Sequence, residues 1–283
     1  MVKEKIRWQS VNADLHTHLK TGSDFSHIDF NRVINLARTR LGKGGIVGLT
    51  NFEDDRYEQF IERPGYERIN LGNAIYVPKR EILVVKGQEI PTRECHILVL
   101  GLEQGISLRS GLPLGNTLND AKERDLAVIL PHPGSYQGIL KEIDRLSEFT
   151  KRVKEGAIFD TPNFLSQRVH GIEIYNSEQE LGFPKYADNN RVKSFQKVMA
   201  QWFDFGAVAN SDGHSIRELG RSYTELIIAR YEHMADKDSV KSHLKKAIGS
   251  AKKFQGKREP AKLGAIEHVV ALAYYILRDK LQI

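Results

Sequence analysis

Apolar runs alternate with amphipathic stretches along almost the whole chain. Short apolar segments fall at 11–15, 46–50, 82–89, 96–100, 126–130, 169–175, 207–209 and 223–228. Runs this short, bounded by Gly, Pro, Asn or Asp, read as strands buried on both faces. The stretch 30–41 sets Val33, Ile34, Ala37 and Leu41 at helical spacing and stops at Gly42, a residue suited to a helix C-cap. Helices are also predicted at 118–124, 138–153, 185–205, 239–251 and 261–281. Strands alternating with helices predict parallel βαβ units, and so many of them favour a closed barrel over a small open sheet. The stretch 55–79, broken by Pro64-Gly65 and Pro78, reads as a long loop, and 255–260 as a linker before the last helix.

This pattern also locates the chemistry. In parallel barrels functional side chains gather at the C-terminal ends of strands. His16, His18, Glu89, His132, Glu173, Asp212 and His214 all fall there. In Asp14-Leu15-His16-Thr17-His18 and Ser211-Asp212-Gly213-His214, side chains two residues apart share one face of an ideal strand. Imidazole and carboxylate together suit zinc, manganese or iron. Two such pairs, far apart in the chain, predict a metal centre that the whole fold assembles, and hydrolysis as its chemistry. Asp14 either orients one of the imidazoles or makes a hydrogen bond at the start of the strand. His170, His233, His243 and His268 are isolated and read as structural. Cys95, the single cysteine, reads as a buried structural thiol.

Composition adds little that competes. Of 283 residues, 40% are hydrophobic and 28% charged, an ordinary soluble balance. No apolar run is long enough for a membrane span, and 1–10 lacks the apolar core of a signal peptide. One cysteine allows no intrachain disulfide, which fits a reducing compartment, so a cytoplasmic location is expected. The net charge of +6 favours an anionic partner or serves solubility alone. A basic cluster (Lys241, Lys245, Lys246, Lys252, Lys253, Lys257 and Arg258) is either a solvated helix face or a contact for a nucleic-acid backbone. Gly42-Lys43-Gly44-Gly45 lacks the spacing of a phosphate-binding P-loop, and no Gly-x-Ser-x-Gly elbow occurs.

Six motifs occur in order: Asp-Leu-His-Thr-His at 14–18, Gly-Gln-Glu-Ile at 87–90, Cys-His-Ile-Leu-Val-Leu-Gly at 95–101, Pro-His-Pro-Gly at 131–134, Gly-Ile-Glu-Ile-Tyr-Asn at 171–176 and Ser-Asp-Gly-His at 211–214. Together they resemble the polymerase and histidinol phosphatase (PHP) superfamily of metal-dependent phosphoesterases, over residues 11–230. The resemblance implies an α/β fold, a distorted seven-stranded β/α (TIM-like) barrel over 1–235, with 236–283 as a basic helical extension packed on it. It implies two to three divalent transition-metal ions. His16, His18, Glu89 and Asp212 would hold the first, and Glu89 would bridge to a second completed by His96 and His132. Asp24 and His214 would belong to a third, and Glu173 would support the site without binding metal. Where the family's second motif usually ends in Thr-Asp-His, this chain has Thr50-Asn51-Phe52. Phenylalanine binds no metal, so either Glu53, Asp54 or His27 fills the gap or the third position is weak or empty.

The implied activity is hydrolysis of a phosphomonoester or nucleotide by water that the metals activate. Glu89, Asp24 and His214 would be catalytic. Lys20 and Arg93, cations close to the ligands in sequence, would bind the substrate phosphate. Two readings stand beside it: a nuclease trimming oligonucleotide ends with help from the basic C-terminal helices, and a non-catalytic binding module that keeps its metals.

Overall fold

The computed structural model describes residues 6–19, 29–51, 55–135, 138–139, 151, 167–176, 192, 205–234 and 236–255. Their strands are β1 (Trp8–Thr17), β2 (Ile46–Leu49), β3 (Ile69–Asn70), β4 (Ala74–Val77), β5 (Ile82–Pro91), β6 (His96–Leu100), β7 (Ala127–Leu130), β8 (Gly171–Asn176), β9 (Gly206–Asn210), β10 (Tyr223–Ala229) and β11 (Lys253–Gln255). The helices are α1 (Phe30–Leu41), α2 (Arg56–Glu62), α3 (Leu114–Glu123) and α4 (Lys237–Gly249). All eight predicted strands form. β2 and β7 are buried at every position, as strands covered on both faces must be. α1 starts where the Asp29 side chain accepts from Arg32 N, and it stops at Gly42, whose φ is 84°. The predicted helix at 118–124 begins earlier, at Leu114. Those at 138–153 and 185–205 lie largely, and that at 261–281 wholly, outside the described residues.

The sheet runs β11-β10-β1-β2-β5-β6-β7-β8-β9 and curls until β9 returns to β1. Leu15 N donates to Asn210 Oδ1 (2.9 Å), and His18 N and Leu19 N donate to Gly213 O (2.9 and 3.0 Å), which joins β1 to the end of β9. The result is a nearly closed barrel of eight strands in a mixed α/β fold. Its interior is filled by Val11, Ala13, Leu15, Leu83, Val85, Leu98, Leu100, Ile129 and Val208. Val240, Leu244, Ala247 and Ile248 of α4 join the same cluster and plug one end. Gly206 is needed for this fit, since a Cβ there would lie 1.6 Å from Ile248 O. α1 and α3 cover the outer faces through two further clusters.

Two expectations need correction. The barrel is not all parallel: β5/β6, β6/β7 and β1/β10 are antiparallel. Only Thr92 to Cys95 separate β5 from β6, and so short a link can join antiparallel strands alone. The stretch 55–79 is not a loop either. It holds α2, which buries Tyr57 and Phe60, and the β3/β4 hairpin, whose second strand pairs with β5. Apolar spacing within those short elements carried the signal, and the prolines obscured it.

Leu244→Ala should cost about 2–5 kcal/mol of unfolding free energy, because it empties a fully buried position. Urea unfolding followed by circular dichroism measures it; a loss within error of zero would show that α4 does not seal the barrel.

Candidate metal centre

At the barrel end opposite α4, one carboxylate gathers four imidazoles. Glu89 Oε2 lies 3.1 Å from His18 Nε2 and 3.6 Å from His16 Nε2. Its other oxygen, Oε1, lies 2.8 Å from His132 Nε2 and 2.7 Å from His96 Nδ1. Asp212 Oδ1 is 3.2 Å from both His16 Nε2 and His18 Nε2, which are themselves 3.2 Å apart. Two three-residue sets are compact enough to hold an ion: His16, His18 and Asp212, and His16, Glu89 and His132. The donor chemistry fits divalent transition metals, being imidazole nitrogen and carboxylate oxygen with no soft sulfur.

Local backbone features aim these side chains. Between Asp14 and Thr17, β1 spends three steps against two on β2, so a bulge lies there. The bulge lets Leu15 pack in the barrel while His16 also reaches the centre. It leaves Asp14 to a different role from orienting an imidazole. The Asp14 carboxylate accepts from Ser211 N, Ser211 Oγ and Gly220 N, bracing β1 against the loop after β9. Burial pushes the Asp14 carboxyl up to about 6, with those donors opposing. His132 and Asp212 stand at strand ends with φ of 24° and 51°. Left-handed backbone at non-glycine residues is held by its surroundings and concentrates at functional sites.

The buried partners of the imidazoles set their tautomers. His132 Nδ1 lies 2.9 Å from Ser135 Oγ, and His214 Nδ1 lies 3.0 Å from the Asp212 carbonyl, to which it donates. His16 Nδ1 lies 3.4 Å from Glu173 Oε1. The Asp212 carbonyl and the Glu173 carboxylate only accept, so they hold a proton on Nδ1 of His214 and His16 and leave Nε2 facing the centre, as a metal ligand requires. Glu173 accepts from His132 N (2.6 Å), Asn176 Nδ2 (2.9 Å) and Asn210 Nδ2 (2.8 Å) as well, so its oxygens are committed to donors rather than to a cation.

Burial opposes charge on His16, but Asp212, Glu173 and Glu89 outweigh it and hold its pKa well above the usual imidazole value. Burial likewise opposes charge on His132, yet Glu89, Asp212 and Glu173 push it up to about 9. Burial would raise Glu89, and hydrogen bonds from His132, His16, His18 and His96 instead hold it well below the usual carboxylate range.

The predicted site residues sort plainly. His16, His18, Glu89, His96, His132 and Asp212 converge. His214 stands at the rim, its ring 4.6 Å from that of His18. Arg93 is exposed and its Nε donates to Gly111 O (3.3 Å). Lys20, Asp24, His27, Phe52, Glu53 and Asp54 lie outside the described residues. His170 accepts from Val128 N, a core role, and Cys95 is a buried thiol. Sequence reasoning missed Ser135, Asn176, Asn210 and Glu218, which accepts from His214 N and Ser215 N. Asn176 and Asn210 end or adjoin quoted motifs, and a polar residue at a buried strand end was the available signal.

No protein-family model matches the chain, and no curated protein does. Among solved structures it is similar to PsfC from Pseudomonas syringae PB-5123, at 13% identity and TM-score 0.56, covering 96% of this chain and 99% of that one. It is also similar to Endonuclease Q in complex with a 27-mer duplex bearing an abasic lesion, at 18% identity and TM-score 0.54, covering 86% of this chain and 58% of that one. The lesion-specific endonuclease of Pyrococcus furiosus matches at 18% identity and TM-score 0.52, covering 87% and 57%. The chain therefore spans under two thirds of either endonuclease. These likenesses show a shared fold, the nearly closed barrel of a mixed α/β chain.

Metal uptake should release protons at pH 7.5, since His132 is protonated below about 9 in the metal-free protein and must yield its Nε2 lone pair. Affinity should accordingly fall as pH drops from 9. Calorimetric titration of manganese in two buffers of different ionisation heat tests this, and identical heats would refute it.

Proposed function

We propose that this chain is a metal-dependent phosphoester hydrolase acting on a small phosphomonoester or nucleotide. The supporting observation is Glu89, whose two oxygens face separate nitrogen sets, as a carboxylate spanning two ions must. His16, His18, Asp212 and Glu89 would hold one ion, and Glu89, His132 and His96 the other. Bound zinc, manganese or iron would supply Lewis acidity toward phosphate oxygens and acidify water near neutral pH. In this reading His214 acts as the imidazolium: its Nδ1–H stays on Asp212 O, and its Nε2 proton passes to the leaving oxygen. Asp24 shares that role, and Lys20 and Arg93 receive the phosphate. A cytoplasmic location is part of the same proposal.

A small ester is preferred to an oligonucleotide because the basic face of α4 is largely engaged within the chain. Lys237 and Lys241 pair with Glu103, and Lys245 with Asp125. Among the described residues no helix is long and apolar enough to cross a membrane.

Purified protein with manganese should hydrolyse p-nitrophenyl phosphate, and chelation should stop it. His16→Ala and Asp212→Ala should each lower kcat/KM by about a hundredfold or more, at or beyond the loss typical when a ligand's hydrogen-bond partner is removed, with circular dichroism unchanged. Full activity in either variant would overturn the assignment. Faster cleavage of an end-labelled oligonucleotide than of the monoester would replace the small ester with a nucleic acid.

A further inference from the structure

Asn176 is buried at the end of β8, and its amide joins two carboxylates. Its Nδ2 donates to Glu173 Oε2 (2.9 Å) and to Asp212 Oδ2 (3.0 Å). The amide orientation follows from those partners, because only the NH2 group can face two acceptors. We propose that Asn176 is a positioning residue that occupies Asp212 Oδ2 and so turns Oδ1 toward the ion held by His16 and His18.

Three observations carry this. Asp212 Oδ1 lies 3.2 Å from both His16 Nε2 and His18 Nε2, while Oδ2 is held by Asn176. Glu173 already accepts from His132 N and Asn210 Nδ2, so it is a fixed anchor from which Asn176 can hold Asp212. Asn176 reaches the centre through a bulge: between Glu173 and Tyr175, β8 takes two steps against one on β9. Strict alternation would put residues 173 and 176 on opposite faces, and the extra residue brings both inward. Removing the Asn176 amide takes away the donor that links the two buried carboxylates, and Asp212 then rotates away or offers both oxygens.

The inference rests on reading the centre as a metal site, and the test separates the two. Metal binding is measured by competition with a chromophoric chelator and by the visible spectrum of the cobalt-loaded protein, for wild type, Asn176→Ala and Asn176→Ser. One of the two ions should bind about 10–100-fold more weakly in Asn176→Ala, the loss expected when a ligand's hydrogen-bond partner is removed. Asn176→Ser, which keeps one donor, should fall between, and the cobalt spectrum should change in both. Unchanged affinity and spectrum in variants that fold would overturn the role of Asn176 while leaving the metal centre intact. Wild type that binds no metal would overturn both. Failure of both variants to fold, judged by circular dichroism, would assign Asn176 to the fold and overturn the positioning role.

Discussion

The structure depends on a buried carboxylate surrounded by imidazoles. Glu89 is removed from water, and four histidine nitrogens from three strands and their ends replace its hydration. A buried charge is tolerable only with such compensation. Because the partners come from β1, β6 and the turn after β7, the barrel must close correctly for Glu89 to be satisfied. The same closure brings Asp212 from the end of β9 to His16 on β1.

Rigidity around this group comes from opposite sources at the two ends of the barrel. At one end α4 seals an apolar interior with Val240, Leu244 and Ile248. At the other, polar side chains pair extensively with one another: Asp14 with Ser211 and Gly220, Glu173 with Asn176 and Asn210, Glu218 with the loop after Asp212. A network of this kind holds ligands by hydrogen bonds in a low dielectric, where each is strong and an unpaired member is costly. It also supports the left-handed backbone of His132 and Asp212.

Much of this was legible in the residues. The eight apolar runs are the eight barrel strands, and the six motifs point to the residues that meet at Glu89. Helix α1 ends at Gly42 as its spacing predicted. The reversal of β6 was not read from the alternation of strands and helices, although the four-residue link before His96 required it. The hairpin within 55–79 was hidden by prolines. Alternation alone puts Asp14 on the face of His16, so the residue pattern does not choose between its two roles.

What the sequence by itself determined is the inventory: which segments are apolar enough to be strands, and which histidines and acids sit at their ends. Tertiary structure decided which of those side chains share a point in space. The physical reason is the bulge. One extra residue in β1 and another in β8 reverse the side-chain alternation, so Asp14 leaves the centre and Asn176 enters it. Such a shift depends on pairing with β2 and β9, partners far away in the chain, and local residue pattern carries no record of it.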